Sequence, residues 1–428
     1  MFIDEQIEKL ARRLKNIERN PSPGFLKCNK IRYEVELEHF LHVREAWREG
    51  KPFAILENIE QLVQPLGLEN QYYISWGDRV TEPQRYYNIA VSRFGFPEHT
   101  CDRTMTALGL LLSGEVPIPR IIISRRLACD PERWSLMSAA KFTGTLFFEV
   151  DRRNSCDEEN LRSLGEQLAE LIEFVEKSIP QAKYDEEKLL RLLEMDQQAL
   201  EYRQRTYELR KRVPCPISPQ DSFRLMNIMP SHYPSSAKVL EYCRMYHDEM
   251  FERAEKGIGG VPEERLRIAW LATGPFGRST FDLLSRKGVS LPWFHNGGAP
   301  YFLGVLREDY GDESNYGRRL TPLEEVVRRW NINVWGGSGD MWVNSLMKVC
   351  RELKIDAVVD FLQPGCVTTK NLKRITAERL RNELGIPTLD LEGREFFATE
   401  MSQIEMNRKL EEFLEMCIAN KSRSGHAT

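Results

Sequence analysis

The chain reads as an α/β protein in which two stretches alternate short β-branched strands with helices, the pattern of doubly wound parallel sheets. Three observations carry this reading. Arg120-Ile121-Ile122-Ile123-Ser124 and Asp356-Ala357-Val358-Val359-Asp360-Phe361-Leu362 are short, nearly continuous apolar runs, as strands covered on both faces are. Further strands are expected at Thr145–Val150, Arg267–Ala272, Val289–Trp293 and Ile386–Leu391, with helical patterns between them. A Pro-rich joint, Val213–Pro219, and a linker, Gly257–Pro262, punctuate the chain between the two stretches.

Taken in order, residues 1–20 predict an amphipathic, highly charged helix, and Pro21–Gly24 breaks it. Residues 34–64 read as two more helices split at Glu49-Gly50-Lys51-Pro52. Tyr86–Val91 is a candidate strand, and Cys101–Leu112 a helix stopped by Glu115-Val116-Pro117-Ile118-Pro119. Residues 157–212 are strongly helical, with Leu161, Leu164, Leu168, Leu171, Ile172 and Val175 on one apolar stripe. Another helical stretch runs through about residue 256. Helices follow at about 278–287, at 370–384 before Gly385, and at 402–419. Four regions result: an N-terminal helical region (1–84), a first α/β domain with a helical extension (85–212), a helical linker (213–262) and a second α/β domain (263–428).

Composition narrows the function classes. The chain has 428 residues, enough for two or three cores, with 41% hydrophobic and 29% charged residues. A net charge of −4 argues against a nucleic-acid partner, which calls for a strongly basic surface. No apolar stretch approaches the roughly 20 residues that span a bilayer. The N-terminus MFIDEQIEKLARRLKNIERN lacks the apolar centre of a signal peptide, so a cytoplasmic protein with no membrane partner is expected.

The nine cysteines include no CxxC pair, so neither a zinc ribbon nor a ferredoxin-type cluster is announced. Three stand in short polar or Gly/Pro-bearing breaks beside apolar sequence: His99-Thr100-Cys101-Asp102, Leu127-Ala128-Cys129-Asp130 and Gln363-Pro364-Gly365-Cys366. Three thiolates from distant points would leave a fourth position open on a metal or cluster, the feature that separates catalytic from structural sites. Cys129 follows a predicted strand near its C-terminal end, the edge where open α/β sheets bind ligands. Cys243, Cys350 and Cys417 lie in helical runs and read as buried structural thiols. Cys156 reads as a surface thiol, while Cys28 and Cys215, near prolines, are left open.

Other candidates have two readings each. Gly274, in Gly274-Pro275-Phe276-Gly277, lies between a strand and a helix, as a plain turn or as a phosphate seat. Gly297 and Gly298, and Gly336 and Gly337, belong to loops that either line a substrate pocket or simply connect. His99 and His295 read first as structural histidines, with an acid/base role as the alternative. The Walker pattern, serine elbow, metalloprotease motif and kinase loop are all missing.

An ordered set of segments carries a resemblance. Thr100-Cys101-Asp102, Ala107-Leu108-Gly109, Val116-Pro117-Ile118-Pro119, Ile121–Ser124 and Ala128-Cys129-Asp130 come first. Ile355–Val359, Gly365-Cys366, Leu384–Leu389 and Arg408–Glu415 follow. Together, over residues 85–420, they resemble the 2-hydroxyacyl-CoA dehydratase/benzoyl-CoA reductase superfamily. The resemblance implies two flavodoxin-like domains with a helical region. It implies a [4Fe–4S] cluster held by Cys101, Cys129 and Cys366, with one iron left for water, a protein atom or substrate. It also implies a CoA-thioester substrate, a related iron–sulfur subunit in a heterodimer or homodimer, and an ATP-dependent iron–sulfur activator that delivers a low-potential electron. The expected reaction is radical dehydration. Ring reduction as in benzoyl-CoA reductase, a double-cubane reductase and a non-catalytic electron-transfer subunit are the alternatives. The chain departs from the family at Leu391-Glu392-Gly393-Arg394-Glu395, where a Glu-x-Asp-like context is common, and Gly274-Pro275-Phe276 stands where some subunits carry Gly-Cys-Pro.

Overall fold

The computed structural model describes residues 1–19, 26–56, 59–125, 129–151, 155, 157–224, 235–272, 274, 278–294, 317–331, 339–394 and 400–424. The chain divides into two compact units. The first comprises Met1–Tyr202, Ile228–Tyr246 and Leu306–Gly337, and the second Arg203–Asn227, His247–Val305 and Ser338–Thr428.

The N-terminal half opens with α1 (Phe2–Arg19), α2 (Cys28–Arg48), β1 (Phe53–Leu56), β2 (Glu69–Asn70), α3 (Tyr73–Gly77) and α4 (Pro83–Asn88). It continues through α5 (Asp102–Leu112), β3 (Ile121–Arg125), α6 (Asp130–Thr143), β4 (Leu146–Val150), α7 (Glu158–Ser178) and α8 (Glu186–Leu209). Beyond the Pro-rich joint come α9 (Pro219–Arg224), α10 (Ala237–Glu255), β5 (Leu266–Leu271), α11 (Arg278–Arg286) and β6 (Val289–Phe294). The remaining elements are α12 (Pro322–Asn331), α13 (Gly339–Glu352), β7 (Ala357–Leu362), α14 (Val367–Leu384), β8 (Thr388–Glu392) and α15 (Glu400–Ser424).

Each unit holds a four-stranded parallel sheet, and the two share one topology, β2-β1-β3-β4 and β6-β5-β7-β8. These are the flavodoxin-like parallel sheets that the sequence led us to expect. Within each sheet the second and third strands in spatial order are flanked on both sides. Accordingly β1, β5 and β7 are buried at every position, as is the outer strand β6, while the outer strands β4 and β8 are more open, β4 mostly half-buried and β8 ranging from buried to exposed.

In the first unit the α7 stripe Leu161, Leu164, Leu168, Leu171, Ile172 and Val175 is buried throughout, against Ala54, Leu56, Ile121 and Ile123 of the sheet. Leu189 and Leu193 of α8 and Val326 and Val327 of α12 complete that core. Burying each such side chain is worth about 1.5–3 kcal/mol, so this stripe alone contributes more than any surface ion pair. Arg318 ties the α12 end to α7, its Nε donating to Glu158 at 2.9 Å and its Nη1 to Glu324 at 2.9 Å.

Two expectations are corrected. The N-terminal region over 1–84 is not wholly helical, because β1 and β2 supply two of the four strands of the first sheet. α2 ends at Arg48, where Gly50 turns the chain with φ 70°, and the short run Phe53–Leu56 joins β3 in parallel register, Ala54 opposite Ile121. Tyr86–Val91 is not a strand: α4 begins at Pro83, where proline suits a first helical turn, and passes into a π-helical turn at Ile89–Arg93. Its helical form lets the backbone of Tyr86 meet Gly109 of α5, where a Cβ would lie 1.7 Å from the Tyr86 carbonyl oxygen.

That contact sets a test. Gly109→Ala gains about 1 kcal/mol of helix propensity, but the overlap falls on backbone and forces α4 and α5 apart, at about 1–3 kcal/mol or more. The overlap wins. The variant is expected to melt several degrees below the parent in a thermal scan, and an unchanged or higher Tm would contradict this account of the α4–α5 contact.

Candidate functional site

Cys101, Cys129 and Cys366 occupy one structural position three times: each is the residue that caps the N-terminus of a helix. Cys101 precedes α5, Cys129 precedes α6 and Cys366 precedes α14. In each case the cysteine carbonyl accepts the first helical hydrogen bond, from Met105 N at 3.0 Å, Arg133 N at 3.2 Å and Lys370 N at 3.3 Å. All three thiols are half-buried and none is in a disulfide. The positive end of a helix favours negative charge, and the thiolate is the metal-binding form of cysteine.

Two of the three positions are equivalent. β3 and β7 hold the same place in their sheets, and Cys129 and Cys366 each follow the last strand residue, Arg125 or Leu362, by four positions. Both lie beyond the C-terminal edge of a flanked strand, the edge where open α/β sheets place ligands. At Cys366 the turn is well defined. Cys366 N donates to Gln363 O at 3.1 Å, Pro364 takes the first corner position, and Gly365 takes the second with φ 85°, a type II turn that requires glycine there.

Cys101 is held differently, because α5 follows a turn rather than a strand. Every α5 residue from Asp102 to Leu111 except Arg103 is buried. Arg103 leaves the helix to form a two-pronged pair with Asp78, its Nε donating to Oδ1 at 2.7 Å and its Nη2 to Oδ2. On α6, Arg133 pairs in the same way with Glu149 of β4, at 2.9 and 2.7 Å.

Cys101 and Cys129 belong to the first unit and Cys366 to the second. Among the described residues no group of three or more His, Cys, Asp or Glu side chains is spaced to hold a metal ion. As donors, however, the three thiols suit iron–sulfur chemistry: soft ligands, partly accessible and set at helix N-termini. The remaining described cysteines are buried, including Cys243, Cys350 and Cys417 on α10, α13 and α15. Cys28 and Cys215 are fully enclosed, and burial pushes the Cys215 thiol up, away from the thiolate a metal needs. Cys156 lies outside the described residues.

His99 is exposed on the turn before Cys101. Gly274 is buried, and a Cβ there would sit 2.6 Å from the Trp270 indole nitrogen, so its small size serves the close approach of the turn to Trp270. His295, Gly297, Gly298, Gly336 and Gly337 lie outside the described residues.

One titratable feature escaped the sequence reading. Asp360, 4% exposed, stands in the buried strand β7 directly opposite Asp390 of β8. Lys373 of α14 pairs with Asp390 at 2.7 Å. Burial, reinforced by the Asp390 charge and opposed by Lys373, pushes the Asp360 carboxyl up to about 7. Its signal was visible as a lone acid inside an apolar strand.

Residues 80–417 match the family described as 2-hydroxyglutaryl-CoA dehydratase, D-component. Two units, each built on a four-stranded parallel sheet flanked by helices, define the class as an α/β protein. The chain belongs to the 2-hydroxyglutaryl-CoA dehydratase D-component family, and is thereby a dehydratase-related enzyme component. The match contains all three cysteines and begins after the segment that supplies α1 to α3, β1 and β2. No curated protein matches the chain. No helix among the described residues is long and apolar enough to cross a membrane.

Asp360 makes stability depend on pH with a definite sign. The folded chain holds this proton up to about pH 7, whereas an unfolded aspartate loses it near 3.8. Folding therefore takes up a proton between those values, and this contribution falls as pH rises through that window and levels above it. Asp360→Asn removes the dependence. The variant is expected to gain Tm over the parent at pH 8 relative to pH 5, and a pH-independent Tm difference would count against a protonated Asp360.

Proposed function

We propose that the chain is the iron–sulfur subunit of a 2-hydroxyacyl-CoA dehydratase-type enzyme, with Cys101, Cys129 and Cys366 as the thiolate ligands of a [4Fe–4S] cluster. One observation carries the proposal beyond family membership. The same residue type fills the same helix-capping position after the equivalent strand of both sheets, and a third cysteine caps α5. Nothing in parallel-sheet packing calls for cysteine at such a turn, where Ser, Thr, Asp and Asn are the favoured caps.

When bound, the cluster supplies one-electron reduction of a CoA thioester, which permits loss of the 2-hydroxyl together with an otherwise unacidic neighbouring proton. The chain's own task is to present and hold the thiols. The three capping positions bind the cysteine backbones into their helices, and the Pro364-Gly365 turn defines the approach to Cys366. Three protein ligands leave one iron without a protein thiolate, which suits a site that must admit substrate. The reading includes a second, related subunit and a separate ATP-hydrolysing activator that delivers the electron.

Cys366→Ser is the direct test. Anaerobically reconstituted parent protein is expected to carry about four irons per chain, the content of one cubane. The serine variant is expected to lose most of that iron and the associated EPR signal while keeping its far-UV circular dichroism. A variant with normal iron content and cluster spectra would defeat the assignment.

A further inference from the structure

The helix α3 is five residues long, well below the length at which a helix persists on its own. It exists because Tyr73, Ser75, Trp76 and Gly77 are buried, and because it is joined to α5 at three points between its first turn and its middle. The Tyr73 hydroxyl donates to the Thr104 carbonyl at 3.3 Å. Gly77 faces Ala107 so closely that a Cβ on it would lie 2.8 Å from the Ala107 Cβ. Asp78, which ends α3, takes the two-pronged bond from Arg103.

The same hydroxyl reaches a second helix. Tyr73 Oη also donates to Ser135 Oγ of α6 at 3.1 Å, while the Ser135 hydroxyl donates onward to Glu132 O at 2.7 Å. A phenol has one hydrogen, so the proton is shared between the Thr104 carbonyl and the serine oxygen. Thr104 stands three residues into the chain from Cys101, and Ser135 six from Cys129. One buried oxygen thus bridges the two cysteine-bearing helices close to the ends that carry the thiols.

We infer that α3 is the positioning element for the first unit's two thiols: the Tyr73 hydroxyl fixes α5 relative to α6, and the Asp78–Arg103 pair fixes the start of α5. The inference rests on reading Cys101 and Cys129 as thiolate ligands. Ligand side chains have to be held within about 0.5 Å of a productive arrangement by partners that are themselves locked in place, and two ligands on separate helices need a tie between those helices. Gly109 against Tyr86 already secures the far part of α5, so the α3 contacts bear on its cysteine end. Both Tyr73 and Asp78 precede residues 80–417, so this hold comes from outside the family match.

The test uses the full-length chain without iron, alkylated with N-ethylmaleimide and read cysteine by cysteine by mass spectrometry, with Cys366 in the other unit as internal reference. Tyr73→Phe removes only the hydroxyl. It is expected to speed labelling of Cys101 and Cys129 about fivefold, the equivalent of about 1 kcal/mol of lost local hydrogen bonding, with Cys366 unchanged. Asp78→Asn is expected to speed Cys101 and leave Cys129 close to the parent rate, since Arg103 lies on α5 alone. Rates at Cys101 and Cys129 within about twofold of the parent, or equal acceleration of all three cysteines, would overturn the inference, the latter by showing a general loosening. Iron loading of the parent reports separately on the cluster. A parent that takes up no iron while Tyr73→Phe gives the expected labelling pattern would remove the cluster reading and still support α3 as the element that places these thiols.

Discussion

Burial of parallel strands on both faces is the constraint from which the rest of this structure follows. A parallel strand cannot turn back on itself, so the chain must leave at its C-terminal edge and enter a helix that crosses a face of the sheet. β3 and β7 sit third in two sheets of identical order, and each hands the chain to a helix within a few residues. At both junctions the cysteine carbonyl accepts the first helical hydrogen bond, and after β7 the Gln363–Cys366 turn occupies the backbone as well. The side chain there is the natural place for chemistry at the sheet edge, and in both units it is a cysteine.

Cys101 reaches a comparable position by other means. No strand delivers it. Its helix is instead set by close backbone approach, with Gly109 against the Tyr86 carbonyl and Gly77 against Ala107. Glycine matters at both places for its lack of a side chain rather than for an unusual backbone angle. The bond between Arg103 and Asp78 then anchors the end of α5 nearest Cys101.

Asp360 shows how far sheet burial governs chemistry. An ionised carboxylate on a doubly covered strand, opposite Asp390, would be strongly unfavourable. The fold answers by holding the proton, opposed only in part by Lys373, whose bond goes to Asp390. Below about pH 7 the second unit thus keeps a neutral acid in the strand that leads to Cys366.

Much of this was legible in the residues alone. The Ile121–Ile123 and Ala357–Leu362 runs, the leucine stripe of α7 and the glycines after α6 and α14 all report local preferences that tertiary structure did not override. The three cysteines stood out because each breaks a regular element. Other features depended on partners remote in sequence. Four apolar residues at Phe53–Leu56 suit a helix start as well as a strand, and only pairing with β3 decides between them. Tyr86–Val91 has strand-like composition but is helical because α4 must lie against a glycine of α5. The burial of Cys28 and Cys215, the proton on Asp360 and the bridge from Tyr73 to two helices are likewise set by neighbours tens of residues away. The sequence by itself determined most of the elements and the thiols that stand at their breaks. The tertiary structure decided which strands pair, which thiols remain accessible and what holds them, because those outcomes depend on burial and contact between distant segments that no local pattern encodes.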